Sequence, residues 1–98
     1  MTRQLTLSVN DAPVPLDYFV QAFIDHTVSG MMEALEGTGP IKSLGLSING
    51  DKLAVILNDS PVPTNPFVSK IIISTTKGMV SSLKGVADVR KLQLNMTR

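Results

Sequence analysis

Apolar and polar residues alternate near the start of the chain, with Leu5, Leu7 and Val9 on one side and Thr6 and Ser8 on the other, and alternate again through Leu53, Val55 and Leu57. A period of two predicts a half-buried strand in each place. Each strand is followed by Asn-Asp-x-Pro-Val-Pro, at 10–15 and 58–63. Its prolines lack a backbone donor and hold the residues before them extended, so the segment reads as a loop that neither extends a strand pair nor enters a helix. Asp17 and the pair Asn65-Pro66 then supply two helix starts at matched positions. The helices run to Gly37 and Gly85, where glycine can take the left-handed conformation that ends a helix. A further alternating strand closes each half, with Leu44, Leu46 and Ile48 in one and Leu92, Leu94 and Met96 in the other.

The pattern recurs because the residues do. Shifted by 48 positions, residues 3–50 align with 51–98 without a gap, and 16 of the 48 pairs are identical, against about 3 expected from average composition. The chain therefore reads as a single domain, 1–98, made of two 48-residue repeats, 3–50 and 51–98. Asn49-Gly50 between two alternating runs predicts a hairpin with positive φ at both turn residues, pairing the second strand with the third. The order βαβ–βαβ closes most economically as an α+β, ferredoxin-like sandwich with a four-stranded antiparallel sheet and both helices on one face. The expected strand order is fourth, first, third, second. Exchange of strands between two copies of the chain is the alternative arrangement.

At about 100° per residue, a buried face centred on Thr75 collects Phe67, Val68, Ile71, Ile72, Gly78, Met79, Ser82 and Leu83. The first helix does the same around Thr27 with Phe19, Val20, Phe23, Ile24, Gly30, Met31, Ala34 and Leu35. Small residues along both midlines predict close packing against the sheet or the other helix. Outward faces then carry opposite charge: Asp25, Glu33 and Glu36 with Val28 and Met32 on the first helix, Lys70, Lys77 and Lys84 with Ile73 and Val80 on the second. The second set predicts an interaction face, with Ile73 and Val80 as apolar centre and the three lysines as rim.

Composition sharpens this. Charged residues make up 17% of the 98, with 9 Lys+Arg against 8 Asp+Glu, below the roughly 25% usual for soluble domains. Hydrophobic residues are 43% and the mean hydropathy is +0.20, which points to self-association. Cysteine is absent, removing disulfides, thiolate catalysis and Cys-based metal sites. A cytoplasmic domain is expected, because aliphatic runs such as Ile71–Ile73 are far too short for a membrane and Met1–Thr6 opens no secretory signal. Nucleic acid is not an expected partner either: every Phe and the one Tyr fall on predicted helices, leaving the sheet without a stacking platform.

Asn10, Asp11, Asn58 and Asp59 are the residues best suited to chemistry, as cation ligands or bases. Asn and Asp are ordinary turn formers, no second carboxylate lies nearby, and the two loops fall at opposite ends of the expected sheet, so the motif reads as structural. Asp11-Ala12-Pro13 and Asp59-Ser60-Pro61 resemble part of the Asp-x-Pro-Gly turn of the ACT regulatory domain, a βαββαβ module that binds amino acids. The likeness spans four residues per half, and Val14 and Val62 stand where that family's glycine approaches the ligand. His26 is the sole histidine, so one chain cannot build a multi-His metal site. No cofactor and no metal are implied. The expected function is a non-catalytic, self-associating cytoplasmic domain, a protein-interaction or small regulatory module that forms a homodimer and engages a protein partner. The alternative is a small dimeric ferredoxin-like enzyme with a cavity between sheet and helices, using His26 or Asp11.

Overall fold

The computed structural model describes residues 4–36, 41–83, 86 and 88–97, the side chains of Leu35 and Glu36 excepted. Its elements in chain order are β1 (Gln4–Val9), β2 (Ala12–Pro13), α1 (Tyr18–Glu36), β3 (Ser43–Asn49), β4 (Lys52–Leu57), β5 (Ser60–Pro61), α2 (Pro66–Ser81) and β6 (Lys91–Thr97). Each of the last four begins 48 residues after its counterpart among the first four. The chain is α+β: six strands form one sheet, every pairing antiparallel, in the order β2-β1-β6-β3-β4-β5.

Two expectations change here. The sheet has six strands instead of four, and its long strands run first, fourth, second, third, so β6 and β3 are central instead of β1 and β4. The cause is the Asn-Asp pair. Asn10 and Asp11 have φ of 52° and 67°, and Asn58 and Asp59 have 49° and 67°. Two consecutive left-handed residues make the tight turn whose twist matches a strand pair. The chain therefore folds back on itself: β2 pairs with Ser8 and Val9 of β1, β5 pairs with Ile56 and Leu57 of β4, and the Val14 and Val62 amides donate to the Leu7 and Val55 carbonyls at 2.9 Å. One side of β1 and one side of β4 are thus occupied, which excludes both from the centre. Pro13 and Pro61 are tolerated because they lie on the outermost strands, where no ladder donor is required.

The β3–β4 connection pairs as expected, with Asn49 opposite Lys52. Its turn is Gly50-Asp51 instead of Asn49-Gly50, and among the four residues Gly50 alone has positive φ, 65°. Glycine in the first turn position is the signature of the type II′ hairpin. Both helices start as the sequence predicts: Asp17 Oδ1 accepts from the Val20 amide and Asn65 Oδ1 from the Val68 amide, each at 2.8 Å. At the other end α2 stops at Ser81, short of Gly85. The Ser81 and Ser82 hydroxyls donate to the Gly78 carbonyl at 3.1 and 3.0 Å, a local bond that competes with the next helical turn. Gly37 and Gly85 lie outside the described residues.

The core lies between the helices and one sheet face, where Leu5, Leu7, Val9, Leu44, Leu46, Ile48, Val55, Leu57, Leu92, Leu94 and Met96 are buried. From the helices come Ile24, Val28 and Met32, then Ile72, Thr76 and Val80. Both sets are spaced at i, i+4, i+8, and both run one position beyond the expected midline, through Val28 and Thr76 instead of Thr27 and Thr75. One residue is about 100° of helix rotation, so each buried face is turned: Ile24 and Ile72 stay in the core as expected, Val28, Met32 and Val80 join them from the expected outer face, and Phe19, Phe23, Phe67 and Ile71 leave it. Thr76 Oγ1 is buried with no hydrogen-bond partner, where the matching position of α1 is Val28.

Two stability measurements follow. Thr76→Val removes an unsatisfied hydroxyl without changing the shape, and should raise the denaturation midpoint by the equivalent of about 1 kcal/mol. Gly50→Val should cost about 1–3 kcal/mol through backbone strain, since open space surrounds the added Cβ; an unchanged midpoint would show that the hairpin can adopt another turn.

Candidate functional site

Of the expected interaction face, the described residues depart from the expectation chiefly at its apolar centre. Val80 is 1% exposed and belongs to the core. Ile73 is half-buried and packs against that core. Lys77 is half-buried, its Nζ donating to the Gly50 carbonyl at 3.2 Å; it ties α2 to the β3–β4 hairpin. Lys70 is exposed, and Lys84 lies outside the described residues. Ile73, Lys70 and Lys77 border a hollow of about 610 Å³ between α2 and the hairpin, but without Val80 its apolar centre is gone. Asp25, expected outward, is also buried and accepts from the Ser29 hydroxyl at 2.8 Å.

What the one-residue rotation brings outward is aromatic. Phe19 is 72% exposed, Phe67 69%, Phe23 53% and Ile71 45%. Phe19 and Phe23, one turn apart on α1, have ring centroids 6.1 Å apart at a 43° tilt, within the range of favourable aromatic pairs. Together with Met79 of α2 and Ser82 and Leu83 just beyond its end they border a groove of about 360 Å³ between the start of α1 and the end of α2. Further along each helix the same face carries Gly30 and Gly78, and a Cβ built on either meets nothing within 4 Å. The expected close approach to sheet or sister helix is therefore absent, and both glycines open onto the surface.

The Asn-Asp turns hold the neighbouring strands in place. Asn10 Oδ1 accepts from the Arg90 and Lys91 amides, both at 2.9 Å, and its Nδ2 donates to the Asp88 carbonyl at 2.9 Å. Asn58 Oδ1 accepts from the Lys42 and Ser43 amides at 2.7 and 3.1 Å. Each asparagine thus clamps the residues that open a central strand, β6 or β3. Asp11 is exposed and lies 3.7 Å from Lys91 Nζ, a solvated ion pair of the kind worth about 0–1 kcal/mol. Asp59 is exposed. The two turns are remote from each other, because β3 and β6 are antiparallel with Lys91 opposite Asn49 and Ser43 opposite Thr97.

The open sheet face is polar apart from Ile56, which is half exposed at the β4 side. Ser47 hydrogen-bonds Gln93, and Gln93 Nε2 donates to Asn95 Oδ1 at 3.1 Å. A dish of about 200 Å³ lies beside Ser8, Asp11, Ser47 and Lys91. Phe19, Phe23, Phe67 and Tyr18 are all helical, so no base-stacking platform lies on this face. His26 is exposed on α1. Among the described residues no three or more His, Asp or Glu side chains gather as a metal site would require, and no helix is long and apolar enough to cross a membrane.

Compared with known proteins, the chain matches no family model, no curated protein and no solved structure.

The clamps carry a prediction of opposite signs. Asn58→Ala should destabilise the fold by about 2 kcal/mol, because the two strand amides lose a shared acceptor and the left-handed position loses a residue that tolerates it. Asp59→Gly, one residue on, should be neutral or stabilising by about 0.5 kcal/mol, since glycine accepts positive φ without strain. Urea midpoints of both variants decide whether Asn58 is structural; a functional but structurally idle Asn58 would leave its midpoint unchanged.

Proposed function

We propose that the chain is a non-catalytic, self-associating interaction module of the cytoplasm, a ferredoxin-like sandwich of two copied halves whose helix layer is its contact surface. The observation that carries this reading is the outward aromatic face, with Phe19, Phe23 and Phe67 each more than half exposed. Clustered exposed apolar groups such as the Phe19–Phe23 pair and its groove mark association sites, whereas scattered single residues do not. Low charge content supports the same reading, since few charged groups need desolvation when two such surfaces meet. Burial of Ile24, Val28, Met32, Ile72, Thr76 and Val80 between the helices and the sheet favours this reading over the enzyme alternative, which needs a cavity there.

Sedimentation at micromolar concentration should give a species heavier than the 10.5 kDa chain. Phe23→Asp should convert it to monomer with the far-UV dichroism retained, because the side chain projects from the fold and carries no core contact of comparable weight. A wild-type monomer throughout that range overturns the reading.

A further inference from the structure

Resting on that reading, we infer that the helix layer docks onto a second copy of the same chain, with α1 of each copy stacked antiparallel on α2 of the other about a two-fold axis parallel to the helices. Three features lead there. The first is size complementarity. On both helices the bulky exposed residues lie towards the N-terminal end, Phe19 and Phe23 on α1 and Phe67 and Ile71 on α2, and the small ones lie towards the C-terminal end, at Gly30 and Gly78. Antiparallel stacking therefore sets large against small.

The second feature is level. Phe19 and Phe23 share a groove with Ser82 and Met79, and the sheet order makes α1 and α2 antiparallel within one chain. At the equal rise of two α-helices, Gly30 then lies near the height of Ile71, and Glu33 near that of Lys70. The proposed axis preserves heights. It places Phe23 of one copy over the Gly78 region of the other and Ile71 over the Gly30 region, each contact occurring twice. The space around both glycines is open to receive these side chains.

The third feature is charge, which decides between the two antiparallel stackings that shape alone would allow. Among the described side chains the exposed charges are Glu33 on α1, which has no Lys or Arg, and Lys70 on α2, which has no Asp or Glu. Stacking like on like would oppose helices of the same sign. Stacking α1 on α2 sets the exposed Glu33 beside the exposed Lys70 of the other copy, on both sides of the axis. The molecule is 35 × 34 Å across and 18 Å thick, so its broad face is large enough to reach the roughly 1,200 Å² of total burial at which specific interfaces begin.

The test uses the full chain. Gly30→Gln and Gly78→Gln fill space that is empty in one copy and replace glycine with a better helix former, so each variant should keep its far-UV dichroism and thermal transition when diluted to the monomer, yet dimerise more than tenfold more weakly. Glu33→Lys and Lys70→Glu should each weaken self-association several-fold at low salt and less at 0.5 M, since exposed pairs are screened. Mixing these two charge variants should restore wild-type affinity, because every facing pair in the mixed dimer is again opposite in sign. A wild-type monomer would overturn the self-association reading itself. A dimer that tolerates both Gln substitutions would leave self-association standing and overturn the helix-layer contact, and single charge variants that associate like wild type would overturn the α1-on-α2 stacking.

Discussion

The two left-handed Asn-Asp turns are the constraint on which the architecture depends. Holding two successive non-glycine residues at positive φ costs free energy, and the structure does so in both halves. What offsets the cost is local and specific: the side-chain oxygen of Asn10 or Asn58 satisfies two backbone amides at the entrance of a central strand. The turn thus acts twice. It folds a short strand onto the outer side of β1 or β4, and it aligns the strand that β1 or β4 must frame. Order in the sheet follows from this, because a strand whose outer side is already covered has one free side left.

Much of this organisation is legible in the residues. The alternation at Leu5–Val9, Leu44–Ile48, Leu53–Leu57 and Leu92–Met96 marks four strands and their buried faces, and Asp17 and Asn65 mark both helix starts. The strand order was not legible, because Asn-Asp-x-Pro reads as a proline-rich loop until one asks which side of β1 the proline faces. Proline excludes a segment from the interior of a sheet, not from its rim. The Gly50 turn was displaced by one residue for a similar reason: Asn49 is as good a turn former as Gly50, and strand register decides between them.

The candidate surface was hardest to read because α1 and α2 are apolar over much more than one stripe. Phe19, Phe23, Ile24, Val28 and Met32 cover a wide arc, and hydrophobicity alone cannot say which edge of it meets the sheet. The sheet takes the aliphatic line at i, i+4, i+8, and the phenylalanines remain outside. Val80 moves from expected anchor to core, and Asp25 from surface to interior. A helix that offers apolar groups to two sides at once is a poor subject for periodicity and a good one for association.

The short outer strands bear on how far any assembly of this chain can grow. Pro13 and Pro61 contribute no donor to the rim, and β2 and β5 cover two of the six residues of each outer long strand, leaving only a short stretch of each for a foreign strand to pair with. A low-charge chain with exposed phenylalanines would otherwise be a candidate for open-ended fibre growth along its edges. With the rims blunted, the association proposed for the helix layer would be confined to that one broad surface, and contacts on one surface related by a two-fold close after two copies. The geometry that orders the sheet would also keep that association finite.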